Sequence, residues 1–128
     1  MIVIDTSAIV AIMLREENYL DISTRLIDDP QRWISPVTFA EIAMVLSRTT
    51  SDPKHSADTY IRQAGIQICT IDADQAEWAR YAFLTFGKGR HPARLNLGDC
   101  FSYAAAKALN APLLYVGDDF TKTDIRAA

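Results

Sequence analysis

The sequence predicts an α/β domain in which helices flank both faces of a central, mainly parallel sheet. Short apolar runs, such as residues 2–4 and 113–116, alternate with longer segments whose apolar residues recur at helical spacing. An unbroken apolar run is typical of a strand that is buried on both faces, as strands are in a parallel sheet. The chain has 128 residues, which is enough for one core, so we expect a single domain over residues 1–128.

The elements follow from these patterns in order. After a first strand over residues 2–4, Thr6 or Ser7 is a suitable N-cap for a helix over 8–15. A helix over 18–29 places its apolar residues on one face before Pro30 ends it. The remaining predicted elements are a strand over 33–35, a helix over 36–48, a helix over 56–63, a strand over 66–71, a helix over 73–86, a helix over 97–109 and a strand over 113–116.

Local signals support three of these helix starts. Ser35 precedes a proline at the first helical position, Asp72 and Gln75 have the spacing of a capping box, and Asn96 can cap the next helix. The apolar faces of the helices over 36–48 and 73–86 are expected to include Phe39 and Phe83, respectively.

Composition restricts the class of protein. With 49% hydrophobic and 23% charged residues the chain is expected to fold, and its net charge of −3 does not suggest a general nucleic-acid binder. No apolar run approaches the ~20 residues of a membrane helix, and the N-terminus lacks the features of a signal peptide. Cys69 and Cys100 have no nearby Cys or His partner, which argues against a zinc site or a disulfide framework. We therefore expect a cytoplasmic protein with buried, reduced thiols.

Acidic residues follow the first and last predicted strands. Asp5 comes directly after residues 2–4, and Asp118 and Asp119 follow the strand over 113–116. Ligands of open α/β sheets bind at the carboxyl ends of the strands, so these acids are expected to converge in one cleft. Glu41 and Asp99 are the other candidates. Each acid also has a structural explanation of its own, as a helix cap, a charge near a helix N-terminus or a turn residue.

A shared cleft would need a cation. Two carboxylates ~4 Å apart repel by about 4 kcal/mol at an effective dielectric near 20. Ligand sets made only of oxygen suit Mg²⁺ or Mn²⁺ better than zinc. No Ser-His-Asp set, phosphate-binding loop or Gly-rich dinucleotide fingerprint competes with this assignment.

A basic segment precedes Asp99. Lys88, Arg90 and Arg94 fall in a stretch that also contains Gly and Pro. A basic loop beside an acidic cleft is compatible with a substrate that carries phosphate, and a solvated loop is the alternative interpretation.

Four segments of the sequence resemble the motifs of the PIN-domain ribonucleases, most closely their VapC toxin branch. In family order and at similar spacing, they are residues 3–8 (VIDTSA), 35–41 (SPVTFAE), 95–100 (LNLGDC) and 116–120 (VGDDF), the last followed by Thr123 and Asp124. The resemblance implies a PIN-like domain that acts as a metal-dependent endoribonuclease. It also implies that the protein is the toxin of a type II toxin–antitoxin system. Such a toxin is expected to form a homodimer and to be inhibited by a small antitoxin encoded by the neighbouring gene.

The resemblance also implies roles for single residues. Asp5, Glu41 and Asp99 would be catalytic acids that bind Mg²⁺ or Mn²⁺. The fourth acid is Asp118 or Asp119, with Asp119 favoured because family sequences vary before the Asp-Phe pair. The expected supporting residues are Thr6 or Ser7, which would hold Asp5 or a water at the metal, and Asp124. The possible RNA contacts are Lys88, Arg90 and Arg94, and the substrates implied are transfer or ribosomal RNA.

Two other functions remain open from the residues alone. A receiver-like phosphate-handling domain expects an acid pair after the first strand and a lysine after a late one, whereas here the pair follows the last strand. A non-catalytic interaction module could use the same acids to bind a cation or a basic partner. Metal-dependent cleavage of RNA separates the ribonuclease from this module.

Overall fold

A computed structural model describes residues 1–128 and confirms the α/β class. The strands are β1 (Ile2–Ile4), β2 (Arg32–Ile34), β3 (Ile66–Ile68) and β4 (Leu113–Leu114). The helices are α1 (Thr6–Met13), α2 (Tyr19–Asp28), α3 (Pro36–Leu46), α4 (Pro53–Gln63), α5 (Ala73–Phe86) and α6 (Leu97–Ala108), and a short 3₁₀ helix (Phe120–Lys122) follows β4. All strand pairs are parallel, and the sheet order is β3-β2-β1-β4.

The sheet separates two apolar cores, as expected for helices on both faces. Ile2 and Ile4 point from β1 into a core formed with α1, α2, α3 and α4. Val3, on the opposite face of the same strand, packs into a second core formed largely by α5 and α6. Because side chains alternate along a strand, the short apolar run of β1 contributes to both cores.

The strand order places the two acidic segments side by side. From β1 the chain proceeds to β2 and β3 on one side of the sheet, whereas β4 lies on the other side. Ile4 pairs with Leu114, so the segments that leave β1 and β4 start at the same edge. This edge, where the strand order reverses, is where α/β sheets bind ligands.

The observed element boundaries correct several predicted ones. The cap of α1 is Asp5, whose carboxylate accepts a hydrogen bond from the Ser7 N–H, and not Thr6 or Ser7. Helix α4 begins at Pro53, earlier than predicted, because Asp52 caps it through the N–H of His55. The strands β3 and β4 are shorter than predicted because their neighbours, β2 and β1, end at Ile34 and Ile4, leaving nothing further to pair with.

Two aromatic residues that were predicted to lie on apolar faces are exposed. Phe39 of α3 is 39% exposed and Phe83 of α5 is 42% exposed. The buried face of α3 instead contains Thr38 together with Ile42 and Leu46. None of the helices combines the length and apolar character needed to cross a membrane.

Candidate active site

Asp5 lies at the carboxyl end of β1 and is almost fully buried, with 4% exposure. Its Oδ2 accepts hydrogen bonds from the backbone N–H of Ser7 at 3.0 Å and from the Ser7 hydroxyl at 2.6 Å. Its Oδ1 accepts a hydrogen bond from the hydroxyl of Ser102 at 2.6 Å. Three donors from α1 and α6 therefore fix the orientation of this carboxylate.

Ser7 also connects the segment that follows β1 to the segment that follows β4. While its hydroxyl donates to Asp5, the same oxygen accepts a hydrogen bond from the backbone N–H of Val116 at 3.1 Å. Val116 follows β4 and precedes the acids of residues 118–119. This contact holds the acidic segment after β4 close to the acid after β1.

Glu41 is positioned by α1 and α6. Its Oε1 accepts a hydrogen bond from the hydroxyl of Thr6 at 2.9 Å. Its carboxylate lies against Gly98, where an added Cβ would be 2.6 Å from Glu41 Cδ, so a side chain at Gly98 would displace it. Burial raises the pKa of Glu41, the Thr6 hydrogen bond partly opposes this, and the negative charge of Asp5 raises it further.

Asp99 stands in the first turn of α6 and forms a capping box with Asn96. Its Oδ2 accepts from the Asn96 N–H at 3.0 Å, and the Asn96 Oδ1 accepts from the Asp99 N–H at 2.9 Å. The pKa of Asp99 is raised to about 7, first by burial and, against the hydrogen bond from Asn96, by three negative charges. These charges belong to Asp5, Asp119 and Glu41. Three acids that are far from Asp99 in the sequence therefore lie close enough to act on it.

The fourth acid in this group is Asp119. It lines a polar cleft together with Asp99, and its charge contributes to the raised pKa of Asp99. Asp118 is exposed and neither lines this cleft nor affects Asp99. The backbone carbonyl of Asp118 instead accepts a hydrogen bond from Thr121 in the turn.

The donor chemistry of this group fits a hard divalent cation. All four side chains offer carboxylate oxygens, and the raised pKa values of Glu41 and Asp99 reflect burial together with mutual repulsion that a cation would relieve. No three Asp, Glu, His or Cys side chains form a ready-made metal site. One oxygen of Asp99 faces its own helix cap. The acids are therefore close enough to influence one another electrostatically at the carboxyl ends of β1 and β4.

Two of the three predicted basic residues border the acids. Lys88 and Arg94 line the cleft of about 280 Å³ that also contains Asp99 and Asp119. The Nε of Arg90 donates a hydrogen bond to the Leu84 carbonyl at 3.2 Å. Arg90 therefore lies against α5, not in the cleft.

Asp124 is not brought to the acid group. It accepts hydrogen bonds from the Tyr103 hydroxyl at 2.8 Å and from the Lys107 Nζ at 2.9 Å. Burial raises the pKa of Asp124, but these two hydrogen bonds and the charge of Lys107 outweigh burial and leave the pKa below its ordinary value. Its observed role is to tie the C-terminal segment to α6.

Sequence reasoning assigned no role in the site to Gly98, Ser102 or Thr38. Gly98 makes room for Glu41, and the fully buried Ser102 binds Asp5. One sequence signal was available: Thr38 precedes Glu41, and Ser102 follows Asp99, by three residues, which is about one helical turn.

Comparisons with known proteins agree with this architecture. The family model described as the PIN domain matches residues 2–126. Ribonuclease VapC of Mycolicibacterium smegmatis is 43% identical over 126 residues, covering 98% of both chains. Ribonuclease VapC30 of Mycobacterium tuberculosis is 41% identical over 124 residues, covering 96% of this chain and 95% of the relative.

Two solved structures share the fold. The crystal structure of Mycobacterium tuberculosis VapC20, a toxin described as cleaving the sarcin–ricin loop, has a TM-score of 0.79 at 16% identity. That of Rickettsia felis VapBC2, bound to a DNA fragment from its promoter, has a TM-score of 0.72 at 18% identity. Both alignments cover 100% of this chain and 98% of the other chain.

Proposed function

The chain belongs to the PIN-domain family, in its VapC ribonuclease branch, and we propose that it is the endoribonuclease toxin of a type II toxin–antitoxin system. The observation that carries this proposal is the convergence of Asp5, Glu41, Asp99 and Asp119 where the strand order of the sheet reverses. The protein would act in the cytoplasm on RNA, with Mg²⁺ or Mn²⁺ held by these four carboxylates.

The reaction proposed is hydrolysis of a phosphodiester bond. The oxygen of a water molecule forms a bond to phosphorus, the bond from phosphorus to the leaving ribose oxygen breaks, and that oxygen takes up a proton. When bound, Mg²⁺ or Mn²⁺ would lower the pKa of water and stabilise the charge that develops on the phosphate.

The side chains of this protein would supply the positioning. Ser7 and Ser102 hold Asp5, and Thr6 holds Glu41, so two of the acids are oriented before substrate arrives. Lys88 and Arg94 border the same acids and would draw the RNA backbone toward them. Cations on the rim of an acidic cleft offset the repulsion between its carboxylates and a phosphate.

The substrate and partners proposed follow from the relatives. Several relatives carry the name ribonuclease, and one structural neighbour is described as cleaving the sarcin–ricin loop. We propose a structured transfer or ribosomal RNA as the substrate. A small antitoxin would inhibit the toxin by placing a basic side chain among the acids, which relieves the same repulsion as a cation. We also propose a homodimer.

Co-expression tests the toxin assignment. Expression of this chain alone is expected to arrest bacterial growth, because an uninhibited ribonuclease degrades essential RNA. Growth should recover when the small protein encoded by the neighbouring gene is expressed with it, and light scattering should find the two in one complex that contains two copies of the toxin. A chain that is harmless alone and does not bind its neighbour's product would favour the non-catalytic interaction module.

The basic residues of the cleft give a second prediction. Replacing both Lys88 and Arg94 by Ala should weaken RNA binding and reduce the slope of log affinity against log salt by roughly 1.4 to 1.8, as expected for two phosphate contacts. Arg90→Ala is the matched control, because its side chain lies against the Leu84 carbonyl and should leave the slope unchanged. Equal slopes for the double variant and the wild type would mean that Lys88 and Arg94 are solvated side chains that do not contact RNA phosphates.

A further inference from the structure

Ser102 is a buried polar residue in α6, a helix most of whose residues are buried. It is fully buried in α6, next to the buried segment that runs from Tyr103 to Ala106. Its hydroxyl donates to the Oδ1 of Asp5 at 2.6 Å, across 97 positions of sequence. Ala has a higher helix propensity than Ser and carries no polar atom to bury. Neither the helix nor the apolar core therefore requires this hydroxyl.

The hydrogen bonds to Asp5 leave little freedom for its carboxylate. An ionised carboxylate has about four lone-pair sites on its two oxygens. Three of these sites accept hydrogen bonds, from the Ser7 N–H, the Ser7 hydroxyl and the Ser102 hydroxyl. One site remains for a cation, on the Oδ1 that also accepts the Ser102 hydrogen bond, so Ser102 restricts the direction from which a cation can meet this oxygen.

Thr38 extends this contact to a third element. Its Oγ1 lies 3.4 Å from the Ser102 Oγ, and it too is fully buried. Thr38 and Glu41 are one turn apart on α3, as Ser102 and Asp99 are on α6. The hydroxyl pair thus joins the two helices that present Glu41 and Asp99 to the segment that presents Asp5.

We propose that Ser102, supported by Thr38, is a positioning residue that sets the direction in which Asp5 meets a divalent cation. This inference rests on the proposed metal-dependent ribonuclease function and adds to it a role for a residue beneath the site. Groups that orient a metal ligand in this way commonly change metal affinity or activity by 10- to 100-fold when removed.

The test measures metal binding directly. Ser102→Ala is expected to weaken Mn²⁺ binding by about 10- to 100-fold, measured from the free Mn²⁺ signal in electron paramagnetic resonance. In cleavage assays at a fixed Mn²⁺ concentration, kcat should fall while the KM for RNA changes little, because Ser102 lies beneath Asp5 and away from the basic rim. Cys100→Ala is the matched control: it truncates another buried side chain of α6 that lines the groove beside α5. It should bind Mn²⁺ like the wild type.

A second variant separates positioning from packing. Thr38→Val keeps the shape of the side chain but removes its hydroxyl, and it should weaken Mn²⁺ binding less than Ser102→Ala because its contact to Ser102 is long. Since Thr38 acts through Ser102, the double variant should match Ser102→Ala alone. If Ser102→Ala does not fold, Thr38→Val alone must still lower Mn²⁺ affinity.

The outcomes separate the proposed ribonuclease function from the positioning role of Ser102. A wild-type protein that neither binds Mn²⁺ nor cleaves RNA would overturn the proposed function, and this inference with it. A wild-type protein that binds Mn²⁺ and cleaves RNA, beside a folded Ser102→Ala variant with unchanged Mn²⁺ affinity, would overturn the positioning role alone. An equal loss of Mn²⁺ binding in Cys100→Ala would assign the effect to helix packing.

Discussion

Asp5→Asn is expected to reduce RNA cleavage by about three orders of magnitude while leaving the melting temperature nearly unchanged. At ~4 Å and an effective dielectric near 20, one carboxylate charge stabilises a unit positive charge by about 4 kcal/mol, which corresponds to roughly a thousandfold. The fold should tolerate the change because Asn is as good an N-cap as Asp. Its side-chain oxygen can still accept the hydrogen bond from the Ser7 N–H. Cleavage rates and thermal melts of the same preparation measure both effects.

Asp72→Asn is the matched control for this variant. Asp72 caps α5 through the Gln75 N–H much as Asp5 caps α1, but its charge does not contribute to the raised pKa of Asp99. It should therefore retain full activity. An Asp5→Asn protein with wild-type activity would remove Asp5 from the site.

Asp99→Asn is expected to stabilise the metal-free protein above neutral pH. The folded pKa of Asp99 is about 7, well above the ordinary value of about 3.9 for an unfolded chain. Its protonated form therefore favours the folded state. That contribution is fully present below about pH 4 and is lost as the pH rises through 7. The Asn side chain does not ionise, so the variant does not lose this stability as the pH rises. Its melting temperature should therefore exceed that of the wild type by several degrees at pH 8 and by little near pH 4.

A divalent cation should reverse this order. Mn²⁺ that binds the folded state raises the melting temperature of the wild type, and more at pH 8 than at pH 6 because protons compete with it at Asp99. Asp99→Asn should lose most of this gain. Asp118→Asn is the matched control, since Asp118 adjoins Asp119 without acting on Asp99. If the melting curves of Asp99→Asn match those of the wild type at every pH, with and without Mn²⁺, then Asp99 does not interact with the other acids.

The sequence predicted the convergence of the acids because the reason for it is topological. Asp5 and Asp119 follow strands of a parallel sheet, and the carboxyl ends of such strands meet at one edge. The contacts that hold the acids could not be predicted in the same way. Ser102 reaches Asp5 because α6 packs against β1, and Gly98 accommodates Glu41 because α6 packs against α3. A helical pattern does not reveal which residues of two packed elements will meet.

Phe39 and Phe83, which were predicted to lie on apolar faces, are exposed for a related reason. Helical spacing placed Phe83 on the apolar face of its helix but did not show how deeply its side chain would be buried. Helix α5 buries the small residues Ala79 and Ala82, and small side chains allow close approach to α6, while Phe83 remains at the surface. The size of the α5 side chains determined which of them contact α6, and periodicity alone carries no information about size.

We propose that Asp5, Glu41, Asp99 and Asp119 support RNA cleavage by holding a divalent cation. Cleavage of a structured RNA by the purified, partner-free protein, followed in Mn²⁺ and again after EDTA, tests it most directly. An Asp5→Asn preparation purified in parallel excludes a contaminating nuclease. We expect cleavage in Mn²⁺, arrest in EDTA and recovery when excess Mn²⁺ is restored, whereas cleavage that continues undiminished in EDTA would contradict a divalent-cation mechanism.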